Sequence, residues 1–126
     1  MNGAPVFSCE VDLVIVGGGS MPASILDRFV ELAGGDKAKI VVVPSASPSR
    51  GQRRIRLRAP LQSRGAEVRV LDCAHPSQVT PDKLAVLKDA TGVWFGGGRQ
   101  WRLCDAFEGT EAIAAFHAVL QRGGVI

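Results

Sequence analysis

A run of four branched apolar residues, Ile40-Val41-Val42-Val43, is followed directly by Pro44 in this chain. Because every position of the run is apolar, rather than every second one, the pattern indicates a strand covered on both faces, as in a parallel sheet. Pro44 has no amide hydrogen to donate to a neighbouring strand, so the strand should end there. Residues 45–51 are rich in serine, with a proline and a glycine, and predict a loop at the carboxyl end of the strand.

Similar apolar runs alternate with helical patterns on both sides of this strand. We predict further strands at residues 13–16, 68–71 and 93–95, and the beginning of another at 125–126. Helices are predicted at residues 22–33, 52–63, 80–87, 103–107 and 110–120, although Pro60 disfavours the interior of the second. Strands that alternate with helices favour an α/β fold, with a mostly parallel sheet between two layers of helices.

The composition fits one small globular domain. The chain has 126 residues, of which 46% are hydrophobic and 21% are charged. No stretch approaches the roughly 18–20 apolar residues of a membrane span, and the first residues lack the features of a secretion signal, so we expect a cytoplasmic protein. The spacing of Cys9, Cys73 and Cys104 fits neither a disulfide framework nor a zinc site, so we expect reduced thiols and no metal.

The net charge of +3 is unevenly distributed along the chain. One stretch holds a group of arginines with Glu67 as its acidic residue, namely Arg50, Arg53, Arg54, Arg56, Arg58, Arg64 and Arg69. The group indicates a solvated helix face, a site for an anionic partner, or a site for a carboxylate-rich substrate. Nucleic acid is disfavoured as a partner, because no helix-turn-helix, zinc or RNA-binding signature accompanies the arginines.

Three loops follow predicted strands at their carboxyl ends, at residues 17–21, 44–51 and 96–100. In open α/β sheets ligands bind beyond these ends, so we expect the loops to converge on one rim. The glycines at 17–19 do not predict dinucleotide binding, because Pro22 replaces the last glycine of the G-x-G-x-x-G pattern. No Gly-Lys-Ser/Thr sequence follows them either, which excludes a P-loop, and we expect no cofactor.

The loop after the central strand carries two hydroxyl residues, Ser45 and Ser47. A serine acts as a nucleophile only beside a base, and the histidines of the chain are the candidates. His75 follows the third strand and is able to reach the rim. His117 is expected in the middle of a helix, where a structural or solvent-facing role is the simpler interpretation.

The loop Gly96-Gly97-Gly98-Arg99-Gln100 exposes consecutive backbone N–H groups directly after a strand. Such groups can stabilise a developing oxyanion, and Gln100 adds a side-chain amide beside them. The alternative interpretation is a tight strand-to-helix turn with a capping glutamine.

Several segments in register resemble a known family. They are Val93-Trp94-Phe95-Gly96-Gly97-Gly98-Arg99-Gln100-Trp101-Arg102-Leu103, Gly109-Thr110 and Arg122-Gly123-Gly124-Val125-Ile126, preceded in matching order and spacing by residues 17–22, 29–35 and 40–47. Together they resemble the serine peptidases typified by cyanophycinase and alpha-aspartyl dipeptidase, over essentially the whole chain. The resemblance implies a flavodoxin-like three-layer sandwich, as in class I glutamine amidotransferases, with a serine nucleophile on a strand-to-helix elbow.

The resemblance also implies roles for single residues. Gln100 corresponds to a glutamine that contacts substrate beside the nucleophile, and Gly97 and Gly98 correspond to glycines near the oxyanion hole. Arg99 stands where the family has aspartate or asparagine, so it either pairs with a substrate carboxylate or points to solvent. Trp101 is expected to shape the pocket wall or to be buried.

The same resemblance places the elbow serine immediately after Ile126, with the histidine and the acidic residue of the triad further on. Residues 1–126 are therefore expected to form the amino-terminal part of one incomplete peptidase domain, without a catalytic residue and inactive alone. Half a domain should also be poorly soluble or unfolded by itself. Either natural cleavage of a precursor beside its nucleophile or an accidental break would explain this ending.

We expect the complete protein to hydrolyse aspartyl-type peptide bonds through an acyl-enzyme. Its expected partners are a peptide substrate and the carboxyl-terminal half of the same precursor, as a second chain if the precursor is cleaved. A homodimer is left open, and neither nucleic acid nor a membrane is expected. Two other hypotheses stand beside this one: a non-catalytic binding or scaffold relative with the same fold, and a nucleotide-binding flavodoxin-like module.

Overall fold

Three parallel strands form the sheet in the computed structural model of the protein, which describes residues 11–126. The strands are β1 (Lys39–Val43), β2 (Glu67–Val70) and β3 (Gly92–Phe95), in the order β2-β1-β3. Ile40 of β1 lies beside Val68 on one side and Gly92 on the other. The strand predicted from residues 40–43 is thus confirmed as the centre of the sheet, and the predictions for β2 and β3 agree to within one residue.

Two short segments continue the sheet on the outer side of β3 without forming regular strands. Val125 forms isolated parallel bridges with Gly92 and with Asp12. The Val14 amide also donates to the Ile126 carbonyl, at 2.8 Å. The segment predicted to begin a last strand therefore lies beside β3, as a bridge.

The apolar run at residues 13–16 predicts a strand covered on both faces, and this prediction is wrong. Leu13 is 54% exposed and Ile15 is 87% exposed. Within the described chain the run therefore lies at an open edge, because burial of a strand depends on its neighbours as well as on its own side chains.

Five α-helices connect and cover the strands within the described residues. They are α1 (Ala23–Leu32), α2 (Arg50–Gln62), α3 (Pro81–Leu84), α4 (Gln100–Phe107) and α5 (Ala112–Gln121). All the predicted helices are found, although α4 begins earlier than residue 103 because Arg99, in an extended conformation, already serves as its N-cap. Thr80 caps α3 as predicted, accepting a hydrogen bond from the Lys83 amide at 3.3 Å.

Between residues 11 and 126, no helix has the length and apolarity needed to cross a bilayer.

Pro60 lies within α2 and does not end it. It falls in the last turn, where carbonyl groups lack helical partners in any case. The Pro60 carbonyl accepts hydrogen bonds from Ser63 Oγ at 2.8 Å and from Arg64 Nη1 at 2.7 Å. These side-chain donors satisfy a carbonyl at the end of the helix, while Pro60 itself has no amide hydrogen to donate to the carbonyl one turn earlier.

Helices cover both faces of the sheet. On one face Phe29 of α1 and Leu61 of α2 pack with Ile40, Val42 and Val68. On the other face the last three helices pack on a second cluster, which includes Val41, Val43, Val93, Phe107, Phe116 and Val119. Because alternate residues of β1 point to opposite faces, its unbroken apolar run serves both clusters. The predicted α/β sandwich of three layers is confirmed for this part of the chain.

The cysteines occupy different environments. Cys73 is a free thiol within the second cluster, and burial raises its pKa above the ordinary value. Cys104 is a free thiol exposed on α4. Cys9 lies outside the described residues.

Ile40 and Ile55 provide a matched test of the core. Ile40 is 1% exposed at the centre of the sheet, and Ile55 is 67% exposed on α2. We expect Ile40→Ala to lower the free energy of unfolding by about 2–5 kcal/mol, because a cavity replaces a buried branched side chain. Ile55→Ala should change it by no more than about 0.5 kcal/mol. Urea unfolding of the protein measures both values, and equal effects would contradict the placement of Ile40 in the core.

Candidate active site

One cavity of about 660 Å³ lies at the carboxyl ends of β1 and β3. Each of the three predicted rim loops contributes to its wall: residues 17–19 and Met21 from the first, Ala46 from the second, and residues 96–98 from the third. The predicted convergence of these loops on one rim is confirmed. Much of the wall is glycine backbone, so a ligand in the cavity meets main-chain groups at close range.

A close contact between two backbone segments fixes the shape of this rim. The Gly96 amide donates to the Val43 carbonyl and the Arg99 amide donates to the Ala46 carbonyl, both at 3.0 Å. Between these bonds Gly98 has a φ of 147°, which side chains disfavour. A Cβ atom at Gly98 would overlap the Ala46 carbonyl. The loop after β3 is therefore held against the loop after β1 by main-chain atoms, and glycine is required at this position.

The amides of Gly97 and Gly98 lie between the two bonded ones. Neither has a backbone acceptor among residues 11–126. Helix α4 begins directly after them, and its first residue, Gln100, lines the same cavity. Unbonded amides beside the amino end of a helix favour negative charge. Amides of this kind are able to stabilise a developing oxyanion.

The residues after the glycines separate into those inside and those outside the cavity. Gln100 lines it, whereas Arg99 is exposed and is not part of its wall. Trp101 is 54% exposed, and the Arg102 guanidinium lies 4.5 Å from its ring centre. Neither expectation for Trp101 is met, because each step along a helix turns the side chain by about 100° and carries this one away from the wall. The tryptophan in the wall is Trp94 of β3.

The candidate serines are buried and form no serine–histidine pair. Ser47 Oγ accepts a hydrogen bond from the Ser49 amide at 3.1 Å, which shapes the loop. Ser45 Oγ has no hydrogen-bond partner among residues 11–126. His75 and His117 are both exposed, and no hydrogen bond joins either side chain to these serines in this part of the chain. The described residues therefore offer no activated serine.

The arginine group divides into paired and unpaired side chains. Ion pairs hold Arg50, Arg64 and Arg69, of which the first lies 2.7 Å from its aspartate partner. Arg53 lines the cavity, and no acidic side chain pairs with it within the described chain. The sequence pattern does not separate Arg53 from its neighbours. The available signal is its place in the first turn of a helix after a rim loop, with apolar Leu57 one turn later.

Gly98 and Gly97 are adjacent and differ in the space around them. We expect Gly98→Ala to lower the free energy of unfolding by at least about 1–3 kcal/mol, because an alanine there is strained and meets the Ala46 carbonyl. At Gly97 an added Cβ meets nothing within 4 Å, so Gly97→Ala should change stability by no more than about 0.5 kcal/mol. Urea unfolding tests the pair, and a Gly98→Ala protein as stable as the Gly97→Ala protein would refute the backbone contact.

Two comparisons relate this chain to known peptidases. Residues 13–126 match the profile of Peptidase family S51. The chain also superposes on the crystal structure of a peptidase from an acI-B1 Actinobacterium, with a TM-score of 0.76 and 23% sequence identity over 91% of this chain and 52% of that one. It thus spans about half the length of that peptidase, and it shows no significant match to a curated protein. Because the family profile covers nearly all of the sequence, the chain belongs to Peptidase family S51.

Proposed function

We propose that this chain forms the oxyanion-binding and substrate-binding side of a serine peptidase active site. The observation that carries the proposal is the pair of unbonded amides of Gly97 and Gly98 in the cavity wall, with Gln100 beside them. Acyl transfer develops negative charge on the carbonyl oxygen of the scissile bond, and amides fixed in advance stabilise that charge. Because the chain belongs to a peptidase family, we propose hydrolysis of a peptide bond as the reaction at this site.

The nucleophile is supplied, in this proposal, by a segment outside the described residues. Two observations support it: residues 11–126 hold no serine–histidine pair, and the chain spans about half of the peptidase on which it superposes. The serine would attack the peptide carbonyl, and a histidine would take its proton and later give a proton to the leaving amine. The amides of Gly97 and Gly98 would donate to the oxygen of the tetrahedral intermediate, while Gln100 would position the substrate.

The proposed substrate is a peptide with an aspartyl residue at the scissile bond, which is cleaved through an acyl-enzyme. A cavity wall with a cation and no described anion supports an acidic substrate. We propose further that the segment with the nucleophile is the carboxyl-terminal half of the same precursor, as a second chain where the precursor is cleaved. The intact mass of the native protein distinguishes one chain from two.

Replacement of Gln100 tests the proposed site. In the complete protein we expect Gln100→Ala to lower kcat/KM for an aspartyl dipeptide by about 10- to 1,000-fold, because a positioned amide is lost from the cavity. The far-UV circular dichroism and the melting temperature should stay close to those of the wild type, since Gln100 is exposed.

Gln121 is the matched control, because it is exposed at the end of α5 and is not part of the cavity wall. Gln121→Ala should leave the rate unchanged. Equal rates for the wild type and Gln100→Ala would reject the role of Gln100. A complete protein that binds peptides but never cleaves them would favour the non-catalytic relative.

A further inference from the structure

Arg53 is the one charged residue among those of residues 11–126 that line the cavity. It also lines a second, smaller cavity of about 250 Å³, together with Ser47, Ser49, Gln52 and a second arginine, Arg56. The side chain thus stands between the glycine-rich cavity and a polar recess on its outer side. A ligand that enters either space meets the same guanidinium group.

The position of the Arg53 side chain is set by its packing. A Cβ atom at Gly96 would lie 3.5 Å from both Cγ and Cδ of Arg53, and 2.8 Å from a methyl group of Leu57. The missing side chain at Gly96 therefore leaves room for the aliphatic part of Arg53 beside the glycine loop. Leu57 lies one helical turn further along α2 and packs at the same place. The arginine is half-buried and enters the cavity wall from α2.

The charge of Arg53 is uncompensated within the described chain. Arg50, Arg64 and Arg69 each lie against an acidic side chain, whereas Arg53 has none. An arginine remains protonated in proteins, and a partly desolvated guanidinium without a partner is unfavourable. Its planar set of donors matches a carboxylate, which it can bind through two parallel hydrogen bonds.

We propose that Arg53 is a specificity-determining residue that binds a carboxylate of the substrate. The proposal rests on the function proposed above and adds the residue that selects the acidic group. Arg99, which the sequence offers for this role, lies outside the cavity wall. A peptide carries two kinds of carboxylate, the side chain of an aspartyl residue and the carboxyl terminus, and both present the same chemistry to Arg53.

Kinetics of the complete protein distinguish the two sources. For an aspartyl dipeptide, Arg53→Gln should lower kcat/KM by about 10- to 100-fold, and Arg53→Lys should lower it less. If the side-chain carboxylate is bound, the loss disappears with the corresponding asparaginyl dipeptide. If the terminal carboxylate is bound, the loss persists with that peptide and disappears when the carboxyl terminus is amidated. A loss of the same size for all three peptides would overturn the proposal.

Arg54 is the matched control, because it carries the same charge on the same helix but is exposed and outside the cavity wall. Arg54→Gln should leave kcat/KM unchanged at constant ionic strength. If Arg54→Gln lowers kcat/KM as much as Arg53→Gln does, the loss comes from the change in net charge alone and the proposal fails.

Binding of succinate separates this proposal from the proposed function. In thermal unfolding at constant ionic strength, succinate should raise the Tm of the wild type and of Arg54→Gln, and should not raise that of Arg53→Gln. If this holds while no peptide is cleaved, the peptidase function fails and the carboxylate site stands. If peptides are cleaved while succinate acts equally on all three proteins, the function stands and the assignment of Arg53 is wrong.

Discussion

The approach of Gly98 to the Ala46 carbonyl is the contact on which the rest of the site depends. It brings the loop after β3 against the loop after β1, and the bond from the Arg99 amide holds it there. The Gly96 and Arg99 amides are bonded at this contact, whereas the Gly97 and Gly98 amides between them have no backbone acceptor among residues 11–126. The same loop thus carries the backbone contact that shapes the rim and two amides without backbone acceptors in the described residues.

The cavity combines main-chain donors with one side-chain cation. The glycines bring backbone close to any ligand, and Gln100, the first residue of α4, lines the same space. Both features favour negative charge without adding a titratable group. Arg53 adds a positive charge at the wall, at a distance from the oxyanion donors set by α2 and by the vacant space at Gly96. Oxyanion stabilisation and selection of an acidic substrate would therefore use different parts of one wall.

The local sequence pattern predicted correctly the strand that has a neighbouring strand on each side within the described residues. The run at residues 40–43 is apolar at every position, and it is the central strand with a helix layer on each face. The run at 13–16 has the same pattern and lies at an open edge, because the burial of a strand depends on its neighbours as well as on its own side chains. Pro60 has no amide hydrogen to donate within a helix, yet α2 continues through it to Gln62.

The site was predictable in outline only. The glycines and Gln100 are visible in the sequence as a loop after a strand, and the structure places them at one cavity. The reason for glycine at position 98 is a contact with Ala46, about fifty residues away in the chain, which no local pattern records. For Arg53 the sequence offers only its place in the first turn of α2 after a rim loop, and the packing against Gly96 is what brings it to the cavity wall. Trp101 is the opposite case: its position beside the glycine motif suggests a place in the site, but its side chain is exposed and is not part of the cavity wall.

Amide hydrogen exchange of the complete protein tests the central claim most directly, because it reads the bonds of this rim one amide at a time. The account predicts slow exchange for the Arg99 amide, which is bonded to Ala46, and fast exchange for the amides of Gly97 and Gly98. Fast exchange at Arg99 would show that the two loops are not joined in this way, and slow exchange at both glycines would show that their amides are not available as donors.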